Sequence, residues 1–395
     1  MTLRRILSLS LAAAALLAPS LAMASSARLA GLVVPGDYVQ DETGRFTYLS
    51  AHATQGGRVW AEPSASDNNA MGAVVPGLLG KNLGTFAVNL RRWAPSLGQA
   101  MYQDPVITAP LGNPDLNTTG EAVSLAWGRT FGTRTVGLSM QRSFVSTKTA
   151  AGTTEGNGNL GRNVTGFGLG YGFPLMGREV ETAFHWQNRD FKGSSAGTPD
   201  ATKSTKASTW LLAGRSFMKL NDQLTVVPSV RAYSFDLSYD NVAGTRIKQI
   251  ISGWQAGLAG NWSLGSNSQF ILGAQFVNER LDLINTSTNF VRTANMSPNV
   301  FAGLESEVQP WLTLRFGARN AVLFNFKDAV TSGPLPSQTV KAHVFAYNAG
   351  ATVKAGKFVF DATLAPNFYS APVSGVLKNG FGGQAFPQVS VSYGF

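Results

Sequence analysis

The sequence holds few residues whose type and spacing would support catalysis or metal binding. It has three histidines, His52, His185 and His343, and no cysteine. Metal sites need clustered ligands, and serine hydrolases need a histidine beside a nucleophile and an acid. These histidines lie far apart along the chain, and no nucleophile motif accompanies them. We therefore expect no enzyme and no metal site, and the lack of cysteine excludes disulfides and thiolate ligands.

Residues 156–161 read GNGNLG and match the GxGxxG pattern of dinucleotide-binding sites. Such a site needs a preceding strand, a following helix and an acidic residue about twenty positions further on. Here the pattern lies in a polar loop and leads into GFGLGYGF, residues 166–173, where every second residue is glycine. We therefore expect no cofactor. The alternating glycines instead predict one face of a strand that leaves room for a bulky group or an inserted segment.

A second set of polar residues alternates with apolar residues inside strand-like runs. Side chains that face the lumen of a water-filled barrel tune its selectivity, and an excess of arginine favours anions. The alternative is that these groups pair with one another and only solvate the wall. The predicted lumen-lining residues are Asn89, Arg91, Glu181, His185, Arg231, Arg315, Arg319 and Asp361.

The elements that must position these residues are β-strands. Clusters of Gly, Asn, Ser and Pro separate runs that alternate with period two, such as VETAFHWQ at residues 180–187. This period is the signature of a strand with two different faces. We predict fourteen strands, at residues 84–94, 119–130, 133–147, 162–174, 178–191, 206–218, 223–239, 246–263, 267–284, 293–307, 311–325, 338–353, 357–367 and 385–395.

Short and long connections alternate along the whole chain. Outer-membrane barrels have short periplasmic turns and longer external loops, which explains this alternation. A bilayer also requires the sheet to close, because every backbone polar group must be paired within the protein. We predict an all-β, antiparallel, up-and-down transmembrane barrel of about 14 strands over residues 84–395. Residues 25–83, with two short possible strands at residues 46–50 and 58–62, would form a segment in the periplasm or a hatch in the lumen.

The composition agrees with this class. Charged residues make up 14% of the 395 residues, against about 25% in an average soluble domain. Beyond the first 24 residues there is no apolar run of the length that a spanning helix needs. The net charge is +10, but no basic run is longer than two residues, so we expect no nucleic-acid binding.

The first 24 residues have the pattern of a secretory signal peptide. Arg4 and Arg5 form a positive region, an apolar stretch follows, and residues 22–24 read AMA, a cleavage site of small residues. We therefore predict export, with cleavage after Ala24.

The last strand ends in an alternating apolar file made of Val389, Val391, Tyr393 and Phe395. This ending resembles the C-terminal assembly signal of Gram-negative outer-membrane proteins. The resemblance implies recognition of the last strand by the barrel-assembly machinery and location in the outer membrane. The strand must then pair with the first wall strand to close the barrel. The strand count and the N-terminal segment also resemble the long-chain fatty-acid transporter type, which implies a lumenal hatch and a hydrophobic substrate.

Three functions fit these features. The main hypothesis is a porin-like channel for passive passage of small solutes. The alternatives are a hatch-gated transporter of hydrophobic compounds and a structural or receptor barrel that docks a surface or secretion partner. The expected partners are outer-membrane lipid, the assembly machinery and small solutes. The sequence leaves the oligomeric state open.

Overall fold

The structure is a computed structural model of the chain. It describes residues 26–41, 44–63, 70–80, 82–90, 121–148, 159–195, 198–204, 207–236, 238–240, 246–284, 289–332, 338–364 and 388–395. The predicted signal peptide and Arg91 lie outside these ranges.

Four short helical elements precede the sheet. They are α1 (Ser26–Leu32), the 3-10 helix η1 (Gly36–Tyr38), α2 (Gly44–Thr47) and the 3-10 helix η2 (Leu49–Thr54). No helix within the described ranges is long and apolar enough to cross a bilayer.

The rest of the described chain is almost entirely β-structure. The strands are β1 (Arg58–Glu62), β2 (Ala70–Pro76), β3 (Thr85–Leu90), β4 (Glu121–Phe131), β5 (Arg134–Lys148), β6 (Asn159–Leu175), β7 (Arg178–Ser195), β8 (Thr198–Ser204), β9 (Ala207–Lys219), β10 (Leu224–Asp236), β11 (Tyr239–Asp240), β12 (Arg246–Leu264), β13 (Ser268–Ile284), β14 (Asn289–Gln309), β15 (Leu312–Ser332), β16 (Gln338–Ala355), β17 (Phe358–Leu364) and β18 (Gln388–Gly394).

The sheet closes into a barrel because β1 pairs with both β2 and β18. Of the 18 strands, β8 and β11 only extend the sheet beside the ends of β7 and β12, which leaves 16 antiparallel strands around the wall. The predicted all-β antiparallel barrel is confirmed.

The predicted count of about 14 strands is wrong. Strands β1 and β2 lie within residues 25–83, so the wall begins at Arg58 rather than near residue 84. These strands have only five and seven residues, and β2 reads AMGAVVP, which has no polar residue to mark an alternation. The two-faced pattern that predicts the other fourteen wall strands is therefore absent here. The possible strand at residues 58–62 is β1, whereas the possible strand at 46–50 is wrong, because these residues lie in α2 and η2 or between them.

The polarity of the two faces of the wall is the reverse of that in a soluble protein. The outward face carries large apolar side chains such as Leu125, Met140 and Phe167, which lie side by side on neighbouring strands and are about half exposed. The inward face carries polar side chains such as Gln141 and Gln187, which are buried. An apolar exterior around a polar interior is the arrangement of transmembrane β-barrels.

Short turns join consecutive strands at one end of the barrel, as the sequence predicts. The turns after β4 and β6 use Gly132 and Gly177 at φ values of 61° and 73°, which glycine adopts without steric cost. We call this the short-turn end. The predicted long connections near residues 91–120 and 365–387 lie outside the described residues. Others are shorter than predicted, because β7, β8, β14 and β15 extend into residues that the predicted strands leave to loops.

The C-terminal strand has the predicted alternation. Ser390 and Ser392 are buried on the inward face, while Val391 and Tyr393 occupy the other face. The N–H of Phe395 donates to the carbonyl of Gly57 at 3.1 Å. Strand β18 thus closes the barrel against β1 rather than against the strand predicted at 84–94. Its recognition by an assembly machinery stays a prediction.

Candidate functional site

The candidate site is the contact between residues 26–54, here called the N-terminal segment, and the inward face of the wall. Helix α1 lies against β15, β16 and β17, and η2 lies against β4, β5 and β6. These two groups of strands are well separated around the barrel. The segment therefore touches the wall on widely separated sides.

The glycines of the wall allow this approach. A Cβ atom on Gly170 would lie 2.5 Å from the backbone nitrogen of Ser50, and one on Gly137 would overlap the carbonyl of Leu49. Because real Cβ atoms do not come so close, larger residues would push η2 away from β5 and β6. These contacts agree with the prediction that the glycines of residues 166–173 make room for a bulky group or an inserted segment.

A buried arginine fastens η1 to the wall. The Nε atom of Arg215 donates to Glu181 at 2.7 Å. Its Nη1 atom donates to the carbonyls of Gly36, Asp37 and Val39 at 3.2, 3.4 and 3.1 Å. The guanidinium therefore satisfies an acidic side chain of the wall and three backbone acceptors of the segment.

Asp37 forms the second half of this cluster. Its carboxylate accepts from the guanidinium of Arg231 on β10 and from the hydroxyl of Tyr48 at 3.1 Å. The ring of Tyr48 in turn lies under the guanidinium of Arg215, with 4.1 Å between the guanidinium carbon and the ring centroid. We call Asp37, Tyr48, Glu181, Arg215 and Arg231 the η1 cluster. Its two positive and two negative groups leave no net charge.

A separate ionic cluster fastens α1. Arg28 makes a bidentate pair with Glu305 at 2.8 and 2.9 Å. Arg315 also pairs with Glu305, and its Nη1 atom donates to Asp361 at 3.1 Å. We call Arg28, Glu305, Arg315 and Asp361 the α1 cluster, which is likewise neutral. Bidentate, charge-assisted hydrogen bonds of this kind fix geometry as well as adding attraction.

Apolar packing lies between the two clusters. Leu32, Val34, Tyr38 and Val39 of the segment form one buried cluster with wall residues, among them Ile271 and Phe301. The rings of Tyr38 and Phe301 lie 4.9 Å apart. This contact buries apolar side chains of both the segment and the wall.

The chain bends sharply between α1 and η1. Val33 has a φ of 53°, a left-handed conformation that is a steric outlier for a β-branched residue. Such strain persists only where surrounding contacts impose it. Here Leu32 and Val34 on either side are buried in the apolar cluster. Val33 therefore lies between the half of the segment that the α1 cluster holds and the half that the η1 cluster holds.

Strand register places the described lumen-lining candidates on the inward face. The sequence predicts side chains that face a water-filled lumen and tune its selectivity. Instead, four of these groups are paired in the two neutral clusters: Glu181, Arg231, Arg315 and Asp361. The alternative, that these groups pair, holds for them. These inward residues are Asn89, Glu181, His185, Arg231, Arg315, Arg319 and Asp361.

Sequence reasoning missed the residues that complete the clusters. Arg28 and Asp37 lie in a stretch without strand periodicity, and their partners Glu305 and Arg231 are 277 and 194 residues away. Arg215 lies on β9, where the alternation is weak. The only sequence signal for an inserted segment is the set of alternating glycines that lie opposite it.

His185 and His52 lie at the buried contact of the segment with the wall. The ring of His185 hydrogen-bonds the carbonyl of Thr47 at 2.7 Å. His52 is 2% exposed. Burial lowers the pKa of His52 to about 3, and the positive charge of Arg45 acts in the same direction.

We expect the N-terminal segment to loosen as the pH falls below about 6.5. Released His52 takes up a proton near pH 6.5, whereas the buried ring resists it until about pH 3. The contribution of neutral, buried His52 to holding the segment against the wall is therefore complete above pH 6.5. Between pH 6.5 and about pH 3 this contribution decreases by about 1.4 kcal/mol per pH unit as the pH falls. Channel conductance in planar bilayers at pH 7.5 and pH 5 measures the effect. The His52→Gln variant should show a weaker pH dependence, and an unchanged dependence would contradict this assignment.

Within the described residues, no group of three or more His, Asp or Glu side chains is placed to hold a metal ion.

Comparison with known proteins finds similarity in structure but not in sequence. No protein-family model and no curated protein matches the chain. The FrpB iron transporter from Neisseria meningitidis (F5-1 variant, apoprotein form) matches 80% of this chain and 61% of its own, with 10% identity and a TM-score of 0.41. The copper transporter OprC matches 78% of this chain and 60% of its own, with 13% identity and a TM-score of 0.41.

The TodX monoaromatic hydrocarbon channel (deltaS2 mutant) matches 90% of this chain and 94% of its own, with 8% identity and a TM-score of 0.36. This chain thus spans less than two thirds of the FrpB and OprC chains. Its own strand pairing and apolar exterior establish that the chain has the architecture of an outer-membrane β-barrel.

Proposed function

We propose that the chain is a bacterial outer-membrane barrel that transports a small solute, and that the N-terminal segment is a plug that closes its lumen. The proposal rests on one observation. The short N-terminal segment is attached by ion pairs to widely separated strands of a closed wall. The α1 cluster joins it to β14, β15 and β17, and the η1 cluster joins it to β7, β9 and β10.

This arrangement favours a gated barrel over a permanently open porin. An open pore would keep the inward polar side chains in water. Instead Glu181, His185, Arg315 and Asp361 are at most 5% exposed. Transport would then require the segment to leave the wall, at least in part.

Location in the outer membrane is part of the proposal. The predicted signal peptide supports export, and the apolar outward face supports insertion into a bilayer. The ending of β18 in a file of alternating apolar residues supports assembly as an outer-membrane barrel.

The inward face also bears on the class of solute. Ile271 and Phe301 form an apolar patch that packs on the segment, while the rest of the inward face beside it is polar and ion-paired. The polar part favours a water-soluble solute over a hydrophobic compound.

A reversible disulfide tests the plug directly. A Cβ atom on Gly31 would lie 3.2 Å from the Cα of Gly350, and one on Gly350 would lie 3.4 Å from the Cα of Gly31. The two backbones are therefore near enough to be bridged, but a Cβ on Gly350 would also lie 2.9 Å from the carbonyl oxygen of Ala362, so the backbone must shift slightly to reach disulfide geometry. The chain has no other cysteine, so a Gly31→Cys, Gly350→Cys variant can form only this bond within one chain.

We expect the oxidised double variant in proteoliposomes to show only background swelling in isotonic xylitol, and dithiothreitol to restore the rate of the single-cysteine variants. Each single-cysteine variant is the matched control and should respond to neither condition. Equal swelling of the double variant in its oxidised and reduced forms would contradict a gating role for the segment.

A further inference from the structure

One row of polar side chains crosses the inward face next to the N-terminal segment. Register places Asn89 on β3 opposite Ser124 on β4, and Ser124 opposite Gln141 on β5. The row continues through Gly166 on β6 to Gln187 on β7 and Thr209 on β9. These six positions follow one another at the spacing of paired strands, about 4.8 Å.

Four members of this row hold polar atoms that lack hydrogen-bond partners in the described part of the chain. They are Nδ2 of Asn89, Oγ of Ser124, Nε2 of Gln187 and Oγ1 of Thr209. All four residues are at most 2% exposed. Buried polar groups are nearly always hydrogen-bonded, so four of them in one row indicate room for a partner beyond the described residues, such as a bound solute.

We infer that this row is a binding site for a neutral, polyhydroxylated solute. The inference rests on the proposed function, because the solute would be the one that the barrel transports. Two amide groups offer donors, and two hydroxyls can donate or accept, which matches the hydroxyls of a polyol or a sugar.

The charges around the row favour a neutral ligand over an ion. None of the six row positions is charged, and the nearby arginines and carboxylates of the η1 cluster neutralise one another. An ionised solute would lose its hydration without meeting an opposite charge in the row.

Aromatic side chains at one end of the row also favour a polyol or a sugar as the ligand. Phe235 lies opposite Thr209 and stacks on Tyr233, with 5.1 Å between the ring centroids. A polar row that ends at aromatic rings combines orienting hydrogen bonds with an apolar surface, as small-molecule sites usually do. The C–H groups of a sugar or a polyol can contact such rings.

The row also adjoins the plug. The next row towards the short-turn end contains Gly168 and His185. A Cβ atom on Gly168 would lie 2.6 Å from Leu49, and His185 binds the carbonyl of Thr47. A solute in the row would therefore lie close to η2, where its arrival could bias the position of the segment.

Equilibrium binding of xylitol to the full chain in detergent tests the site without any transport step. The variant is Asn89→Leu with Gln187→Leu, and the control is Asn82→Leu with Asn188→Leu, which alters two exposed amides. Isothermal titration gives the Kd, and xylonate supplies a charged probe with the same carbon skeleton.

We expect the row variant to bind xylitol at least about tenfold more weakly, and the control to bind like the wild type. The row variant should unfold at an unchanged or higher temperature, because each substitution removes a buried polar atom that has no partner in the described part of the chain. Xylonate should bind the wild type at least about tenfold more weakly than xylitol.

Failure of xylitol to bind the wild type, or equal affinity of the row variant, would overturn the site. Equal affinity for xylonate would overturn the neutral class of ligand. These results are independent of the disulfide test. If xylitol binds but the disulfide between positions 31 and 350 does not change the swelling rate, the plug is rejected and the binding site is retained.

Discussion

Replacing Arg215 with methionine is expected to release the η1 half of the N-terminal segment and to raise the ion conductance of the barrel. The substitution removes the pair with Glu181 and the hydrogen bonds to three segment carbonyls. Breaking one partner of a buried ion pair costs about 3–5 kcal/mol. Much of this cost falls on the closed state, because opening allows Glu181 and the carbonyls to be hydrated.

A loss of this size shifts the ratio of closed to open barrels by roughly 100-fold or more. Conductance in planar bilayers measures the shift. Lys219→Met is the matched control, since the pair of Lys219 with Asp222 is exposed and should contribute little. Circular dichroism should show that both variants keep the β-sheet. An Arg215→Met barrel that is folded and conducts like the wild type would contradict the role given to the η1 cluster.

Replacing Gly317 with alanine is expected to displace the α1 half of the segment. Gly317 lies on the inward face of β15, and a Cβ atom there would overlap the carbonyl of Leu32. Overpacking of a tight contact costs about 1–3 kcal/mol. This cost lowers the ratio of wall-bound to released α1 by roughly 5–150-fold. Because Val33 separates the two halves, residues 36–54 should be affected less.

Hydrogen exchange followed by mass spectrometry can resolve the two halves. Peptides from residues 26–34 should exchange faster in Gly317→Ala than in the wild type, while the wall strands should be unchanged. Gly214→Ala is the control, because its added Cβ would meet its nearest atom at an ordinary 3.6 Å. Equal acceleration of residues 26–34 and 36–54 would contradict two separately fastened halves.

The sequence by itself determines most of the wall of this protein. Where a strand faces lipid on one side and polar surroundings on the other, its residues must alternate, and this local rule predicts fourteen of the sixteen wall strands. It fails for β1 and β2, which are short and whose sequences show no clear alternation. Their place in the wall follows only from their pairing with β18 and β3.

Only the tertiary structure decided where the N-terminal segment binds and what the inward charges do. The sequence shows Arg315 and Glu181 as charges on one face of a strand, which fits a selectivity filter as well as an ion pair. Arg315 pairs with Glu305 and Asp361, and Glu181 pairs with Arg215, all on other strands. Arg28 and Asp37, which complete the two clusters through Glu305 and Arg231, come from a stretch with no period. A side chain's charge and its face are local properties, whereas the group that neutralises it depends on how the closed barrel brings distant segments together.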